Sequence, residues 1–277
     1  MGRNRRGRFL AARAVGVGLG IAVAAGGRAG AIAVHSQTTH TGPAPQHLAF
    51  DTCEAPSLDA MRAWHNASPY GSVAVYFGGE MRACSNSALD SPGWVTSVLQ
   101  DGWGIIPVWV GPQAPCTDYH STMNVQHPDL HGLFVGFAAA LQARAAGLPD
   151  GSPIYLDIES WLVDDAACDA VVRTFIDHWV EGVHYFGFSA GLYSTPSTGI
   201  RVEAERGNDP GRHRVDAIWV ARWNDAPYSY ETPVADSFAG RRIHQYHGDH
   251  SETWGGVTMD VDSNLVDGLV ATYSAGG

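Results

Sequence analysis

The sequence predicts an α/β fold, a single-domain (β/α)8 TIM-like barrel, on three observations. First, short apolar runs rich in Val, Ile, Tyr and Phe recur eight times, at 48–53, 72–77, 104–110, 153–159, 185–193, 216–222, 242–247 and 257–262. Most are near-continuous in apolar character, as parallel strands covered on both faces should be. Second, helical patterns lie between several of these runs, and strand–helix alternation argues for a parallel sheet. Third, residues 47–277 come close to the ~250 residues typical of an eight-stranded α/β barrel.

The elements follow in order. Residues 1–31 read as a signal peptide. Arg3, Arg5, Arg6, Arg8 and Arg13 form a basic start without an acid, an apolar run follows, and Ala29, Gly30 and Ala31 close it with small residues. The apolar run is too short for the ~20 helical residues that span a bilayer, which disfavours an uncleaved anchor. Arg5 and Arg6 before Phe9 and Leu10 suggest the twin-arginine route, although Gly7 and Arg8 lengthen the usual spacing. Residues 32–46 are polar and read as a linker. The clearest helix is 128–146, with Pro128 at its start, Gly147 after its end, and Leu130, Leu133, Phe134, Phe137, Ala138 and Leu141 at helical spacing. Residues 164–181 repeat the pattern with Val171, Val172, Phe175, Ile176 and Trp179, and 57–65 and 92–100 are shorter candidates. The polar stretch 196–214 predicts a loop or degenerate helix, with Glu203, Glu205 and Asp209 on a solvated face. An open doubly wound sheet is the alternative, but no glycine-rich phosphate turn follows the first strand.

Composition excludes several functions. Removing 1–31 leaves 11 arginines against 28 acids, a formal charge of −17. That surface repels phosphate backbones, so no nucleic-acid partner is expected. The chain has no lysine, which excludes Schiff-base chemistry and a P-loop lysine. Nothing calls for a cofactor. Cys53, Cys84, Cys116 and Cys168 lack C-x-x-C spacing, so a zinc site is disfavoured and disulfides in an exported protein are expected. Three connectivities are open. Cys53 with Cys84 is favoured, because each follows a strand in neighbouring units, which leaves Cys116 with Cys168.

In an α/β barrel the chemistry sits at the carboxyl ends of the strands. Asp51 lies near the end of the first. Asp157 and Glu159 close the fourth, and Asp260 and Asp262 close the eighth. Two apart on a strand, Asp157 and Glu159 share a face with Cα atoms about 6.6 Å apart, while Ile158 points toward the helices. Their repulsion raises one pKa, as a general acid at neutral pH requires. Strands one and eight are neighbours in a closed barrel, so Asp51 and Asp262 face the same mouth. A hydrogen-bonded structural carboxylate cluster is the other reading of the same spacing.

Six ordered motifs run nearly the length of the chain: FDTCEAPS at 50–57, YFGG at 76–79, GWGIIPVWVG at 102–111, YLDIE at 155–159, GLYS at 191–194 and WVARW at 219–223. The set resembles the glycoside-hydrolase-like domain of exported actinobacterial proteins, itself similar to the family 25 lysozymes. That resemblance implies a secreted or envelope-associated barrel acting on β-1,4 bonds of peptidoglycan or a related polysaccharide. Matched position by position, Glu159 is the general acid and Asp157 the carboxylate beside it, which steadies positive charge or orients an acetamido group. Asp51 and Asp262 match the acids of the first and last strands. Tyr193, Trp219 and Gln245 match positions lining the sugar groove. Trp109 is either a stacking platform or a core tryptophan. A non-catalytic glycan-binding or envelope-remodelling protein is the alternative on the same barrel. A divalent cation held by Asp51, Asp157 and Asp262 is a third. A monomer without stable membrane insertion after cleavage is expected.

Two further patterns carry less. Gly187, Ser189 and Gly191 fit G-x-S-x-G, but that elbow needs a strand before it and a helix after it, and strand-like residues follow. His244, His247 and His250 invite a metal, yet 244 and 247 point to opposite faces of a regular strand.

Overall fold

A computed structural model describes residues 46–273 except Asp90, Pro92, Asn208, Pro233 and Val234. The expected signal peptide and all but the last residue of the expected linker lie outside the described residues. Eight strands close into one barrel in sequence order: β1 (His47–Asp51), β2 (Tyr70–Gly78), β3 (Gly104–Val110), β4 (Pro153–Asp157), β5 (Ser189–Ser194), β6 (Ala217–Ala221), β7 (Arg242–Trp254) and β8 (Val257–Asp267). Helices α1 (Leu58–Ala67), α2 (Trp94–Gln100), α3 (Pro128–Ala145), α4 (Ala166–Tyr185) and α5 (Gly199–Arg206) follow the first five strands, and a 3-10 turn (Ala235–Phe238) follows β6.

The side-chain alternation of the strands builds two cores. Inward residues such as Ala74, Ile106, Val108, Tyr155 and Trp219 fill the barrel. Outward residues such as Phe50, Val73, Ile105, Leu156 and Ile158 pack beneath the helices. Ser57 caps α1 through its hydroxyl, and Asp165 caps α4 by accepting from the N–H groups of Ala167 and Cys168. Each cap satisfies donors that a helix start otherwise leaves unpaired.

Strand directions depart from a uniform barrel. β1 to β7 run parallel, but β8 is antiparallel to both β7 and β1. Asp262 therefore does not close its strand. The chain turns at Gly255 and Gly256, both at positive φ, and descends from the mouth, so Asp262 lies partway down β8 directly opposite Asp51. Both reach the mouth as expected, for a different reason.

One strand boundary and two expectations about faces change. The fifth strand starts at Ser189 because α4 continues through Tyr185. α3 buries Gly132, Val135, Gly136, Ala139, Ala140 and Ala143, whereas Phe134 is 60 % exposed and Leu130 and Leu141 are also exposed. The small face wins because α3 and α4 approach backbone to backbone: a Cβ on Gly136 or Gly182 would strike the opposing main chain. The stretch after β5 does form a helix, and Glu203 is fully buried rather than solvated. Arg206 one turn later comes within 3.4 Å of it and also reaches Asp177. Burial raises the Glu203 carboxyl, and the nearby Arg206 charge opposes that shift without cancelling it.

Both disulfides form as favoured, Cys53–Cys84 and Cys116–Cys168. The first ties the loop after β1 to the loop after β2. The second ties the loop after β3 to the start of α4.

Candidate active site

The mouth is built where β1, β2, β4, β5, β7 and β8 end or enter. Asp51, the last residue of β1, is buried and accepts three sets of hydrogen bonds. Tyr76 donates its hydroxyl at 2.9 Å, Asn264 donates Nδ2 at 2.7 Å, and Gln245 donates Nε2 at 3.1 and 3.3 Å to the two oxygens. Burial raises this carboxyl to about 7, and repulsion from Asp262 adds to it, although the three donors pull the other way.

Asp157 ends β4, and Glu159 lies two residues past it. Gln113, buried in the loop after β3, fixes this segment. Its Nε2 donates to the backbone carbonyls of Gly111 and Asp157, and its Oε1 accepts from the Glu159 N–H at 2.8 Å. Ser194 donates to the Ile158 carbonyl. The alternation thus continues beyond the strand: Ile158 is buried under the helices and both acids turn inward. Asp157 is 6 % exposed, and its Oδ1 has no hydrogen-bond partner. Burial pushes it well above the ordinary carboxylate range, with repulsion from Glu159 and Asp51 added. Burial also raises Glu159.

Asp262 accepts from the Asp249 N–H at 2.6 Å and from Gln245 at 3.2 Å. Burial raises its carboxyl; the Asp249 N–H opposes that shift. Gln245 is the hub of the site. Its Oε1 accepts from Tyr193 and from Trp223 Nε1, each at 2.9 Å, while its Nε2 serves Asp51 and Asp262. With every polar hydrogen and lone pair engaged, Gln245 holds the others in place.

Two aromatic assignments change. Trp219 does not line the groove. It is buried in the barrel under Tyr193 and donates Nε1 to Asn264, which in turn holds Asp51. Trp109 takes the core alternative, because its position on β3 faces outward, against Phe77 beneath the helices. Trp223, 54 % exposed, lies at the groove beside Tyr193. The ring leaves so little room that a Cβ at Gly248 would collide with it.

Two lobes open from this floor and share Glu159. The deep lobe holds about 380 Å3 and is lined by Asp51, Asp157, Asp262, Tyr76, Arg82 and the Cys53–Cys84 disulfide, among others. The outer lobe holds about 610 Å3 between Tyr193, Thr195, Arg222, Trp223 and Gln245. Both volumes suit small-molecule or sugar-unit sites.

Tyr76, Asn264, Gln113 and Trp223 are site residues that sequence reasoning missed. Tyr76 and Trp223 stand inside quoted motifs without a role, and strand alternation marks Tyr76 as inward. Asn264 lies two residues beyond Asp262 on the same face. Gln113 carries no sequence signal.

The remaining patterns fall away from the mouth. Ser189 opens β5 at the barrel's opposite end, with its hydroxyl on the Gly151 carbonyl. His244 is buried against the carbonyls of Pro227 and Arg222. Irregularities in the β7 register at Gln245–His247 and His247–His250 break the alternation there. His247 pairs with Asp225 and His250 with Glu252.

A closed barrel with a carboxylate-lined groove at its mouth defines a glycoside-hydrolase-like protein. The chain belongs to the Rv2525c-like, glycoside hydrolase-like domain family, whose model matches residues 62–266. Its fold is similar to a 1.07 Å structure of an uncharacterized protein of B. stearothermophilus, at 18% identity over 80% of this chain and 99% of that one, with a TM-score of 0.52. It is also similar to the spore cortex lytic enzyme SleM of Clostridium perfringens, at 14% identity over 81% of this chain and 69% of that one, TM-score 0.52. The Tat-secreted Rv2525c of Mycobacterium tuberculosis, solved with HEPES, matches at 16% identity over 82% of this chain and 96% of its own, TM-score 0.47. No curated protein matches the chain in sequence.

Proposed function

We propose that this protein is an exported glycoside hydrolase acting, as a monomer, on peptidoglycan or a related cell-envelope polysaccharide. Glu159 is the general acid and Asp157 its partner. The observation that carries the reading is the place of Glu159, where the two lobes meet. A glycan running through both lobes puts a glycosidic bond beside this carboxyl. Burial keeps Glu159 protonated to a higher pH than a free carboxyl, as an acid catalyst at neutral pH requires.

In the reaction the Glu159 proton passes to the bridging oxygen as the bond from that oxygen to the anomeric carbon breaks. Positive charge develops on the ring in the deep lobe, water then adds to the anomeric carbon, and the proton it releases returns to Glu159. Asp157, two residues away on the same face, lies beside that charge, and Asp51 and Asp262 surround it. Tyr193 and Trp223 hold the sugar rings. Export accords with the two disulfides. Among the described residues no helix is long and apolar enough to cross a membrane. The similar fold of SleM, a spore cortex lytic enzyme, supports the reading.

The test is reducing-end release from purified cell wall, comparing wild type with Glu159→Gln. A fall of about 10²- to 10⁴-fold is expected, the usual contribution of a general acid. Equal rates for the two proteins contradict the assignment of Glu159. Saturable glycan binding without products from the wild type would instead establish the non-catalytic reading.

A further inference from the structure

The segment between β3 and α3 serves the mouth and a second groove. At its start, Gln113 fixes the strand end that carries Asp157 and Glu159. Backbone pairing joins Gln113 to the far side of the same segment. The Gln113 N–H donates to the Ser121 carbonyl at 3.0 Å, and the Met123 N–H donates to the Gln113 carbonyl at 2.8 Å. Cys116, between them, is tied to α4 by its disulfide. Tyr119 is exposed on the same segment. Burial raises its hydroxyl, and the charges of Glu159 and Asp157 add to that, so the segment reaches the two acids.

From Met123 onward the segment walls the second groove against the start of α3. The groove holds about 660 Å3 and is lined by Met123, Asn124, Gln126, His127, Leu130 and Phe134, among others. Its chemistry differs from that of the mouth. Acids outnumber arginines 28 to 17 in the chain, yet among the described residues no acid and no arginine lines this groove. His131 also lines it, and burial lowers its ring below the ordinary value, which favours the uncharged form. Val125, Leu130 and Phe134 expose apolar surface there, and exposed apolar surface gathered in one place marks a binding site. Amides stand among them. The Asn124 Oδ1 accepts from the Gln126 and His127 N–H groups at 2.9 and 3.0 Å, which fixes the turn. Among the described residues nothing accepts from the side-chain amide N–H groups of Asn124 or Gln126. Apolar platforms with a few uncharged donors match a sugar, whose ring has C–H faces and a rim of hydroxyls. They offer no counter-charge to an anionic headgroup or a charged peptide.

We infer that this groove is a second glycan-binding site, which takes uncharged N-acetylated sugar units of the same polysaccharide. The inference rests on the glycan reading above and adds a holding site to its cutting site. The groove is joined to the mouth through Gln113 and grips the polymer outside the two lobes. A long strand therefore gains affinity that a fragment too short to reach both sites does not.

The experiment is an NMR chemical-shift titration of the folded Glu159→Gln protein, which spares the probe from turnover, with the β-1,4-linked tetrasaccharide of N-acetylglucosamine. Backbone N–H groups between 124 and 131 report the groove, and the Trp223 indole N–H reports the outer lobe. Both are expected to move. Phe134→Ala should weaken binding at the groove by about three- to tenfold, the effect of one aromatic contact, and leave the Trp223 response as it was. Phe134 is exposed, so the substitution spares the core. Movement at Trp223 without movement between 124 and 131 overturns the inference and leaves the glycan reading standing. Movement at neither also overturns it, and reducing-end release from cell wall then decides the glycan reading separately. Shifts between 124 and 131 that follow protein concentration without sugar mean that a second copy of the chain fills the groove, which likewise overturns the inference.

Discussion

The barrel mouth and the α4–α5 flank use the same acids to opposite ends. On the flank, Asp169 meets Arg173 and Arg201, Glu205 meets the same two arginines, and Arg206 reaches Glu203 and Asp177. Burial alone would raise Asp169, but its arginine partners outweigh it and hold the carboxyl below its ordinary value. Arg201 hydrogen bonds likewise hold Glu205 down. At the mouth, burial raises Asp51, Asp157 and Asp262, repulsion from neighbouring acids adds to it, and the hydrogen bonds to Asp51 and Asp262, with His250 and His247 near Asp262, oppose it without cancelling it. Paired acids tie helices together. Unpaired acids in a cavity cost stability, and chains keep such groups where they serve a ligand or a reaction.

The flank gives the largest effect on stability. Arg206→Met leaves Glu203 buried without its partner, and breaking a buried pair in this way costs about 3–5 kcal/mol. Urea denaturation measures it. A loss below about 1 kcal/mol, the range of an exposed pair, would mean that the flank pairs contribute no more than surface charges do. At the rim of the mouth the sign is reversed. Asp249→Asn removes a charge facing Asp262 at a left-handed position that Asn tolerates, so stability should hold or rise by up to about 0.5 kcal/mol. A marked loss would show that the Asp249 charge is compensated after all.

The smallest effect concerns the aromatic of the outer lobe. Trp223→Ala should weaken glycan binding by about 1 kcal/mol, with the rate at saturation little changed. An unchanged KM would remove Trp223 from the groove. Loss of the turnover rate would point instead to the hydrogen bond it gives Gln245.

Much of the fold and of the mouth was legible in the sequence, the paired flank was not, and the residues show where legibility stopped. β3 coincides with its apolar run at 104–110, and Pro128 and Gly147 bracket α3. Asp51, Asp157 and Glu159 follow from strand ends and alternation, whereas Asp262 lies partway down β8 opposite Asp51 and not at a strand end. The direction of β8 did not follow, because an apolar run carries no arrow. The available signal was Gly255-Gly256 between two strand-like runs, the signature of a tight hairpin and hence of antiparallel pairing. The buried face of α3 was missed for a physical reason. Helices that approach closely bury glycine and alanine, so the bulky stripe that periodicity detects was left outside. Glu203 was misplaced because α5 packs that face inward: Arg206, three residues on in the same helix, lies beside it, but spacing alone does not show that the face is buried. Trp219 and Trp223 are four apart in one motif, yet one supports Asn264 from inside the barrel and the other lies open at the groove.

The two regions also predict opposite responses to pH. Asp51 has a folded-state pKa above its unfolded value, so the native state holds the extra proton. Its contribution to stability is full below about 3.8 and is lost as pH climbs toward about 7. Asp169 has a lowered pKa, so its contribution is present above the ordinary carboxylate value and is lost as pH falls through the lowered one. A carboxyl-detected NMR titration of the folded protein measures both groups in one experiment. The account predicts that Asp51 titrates near 7 while Asp169 titrates below 3.8. Asp51 titrating at the ordinary 3.8, beside its flank counterpart, would contradict the claim that the mouth carboxylates stand unneutralised.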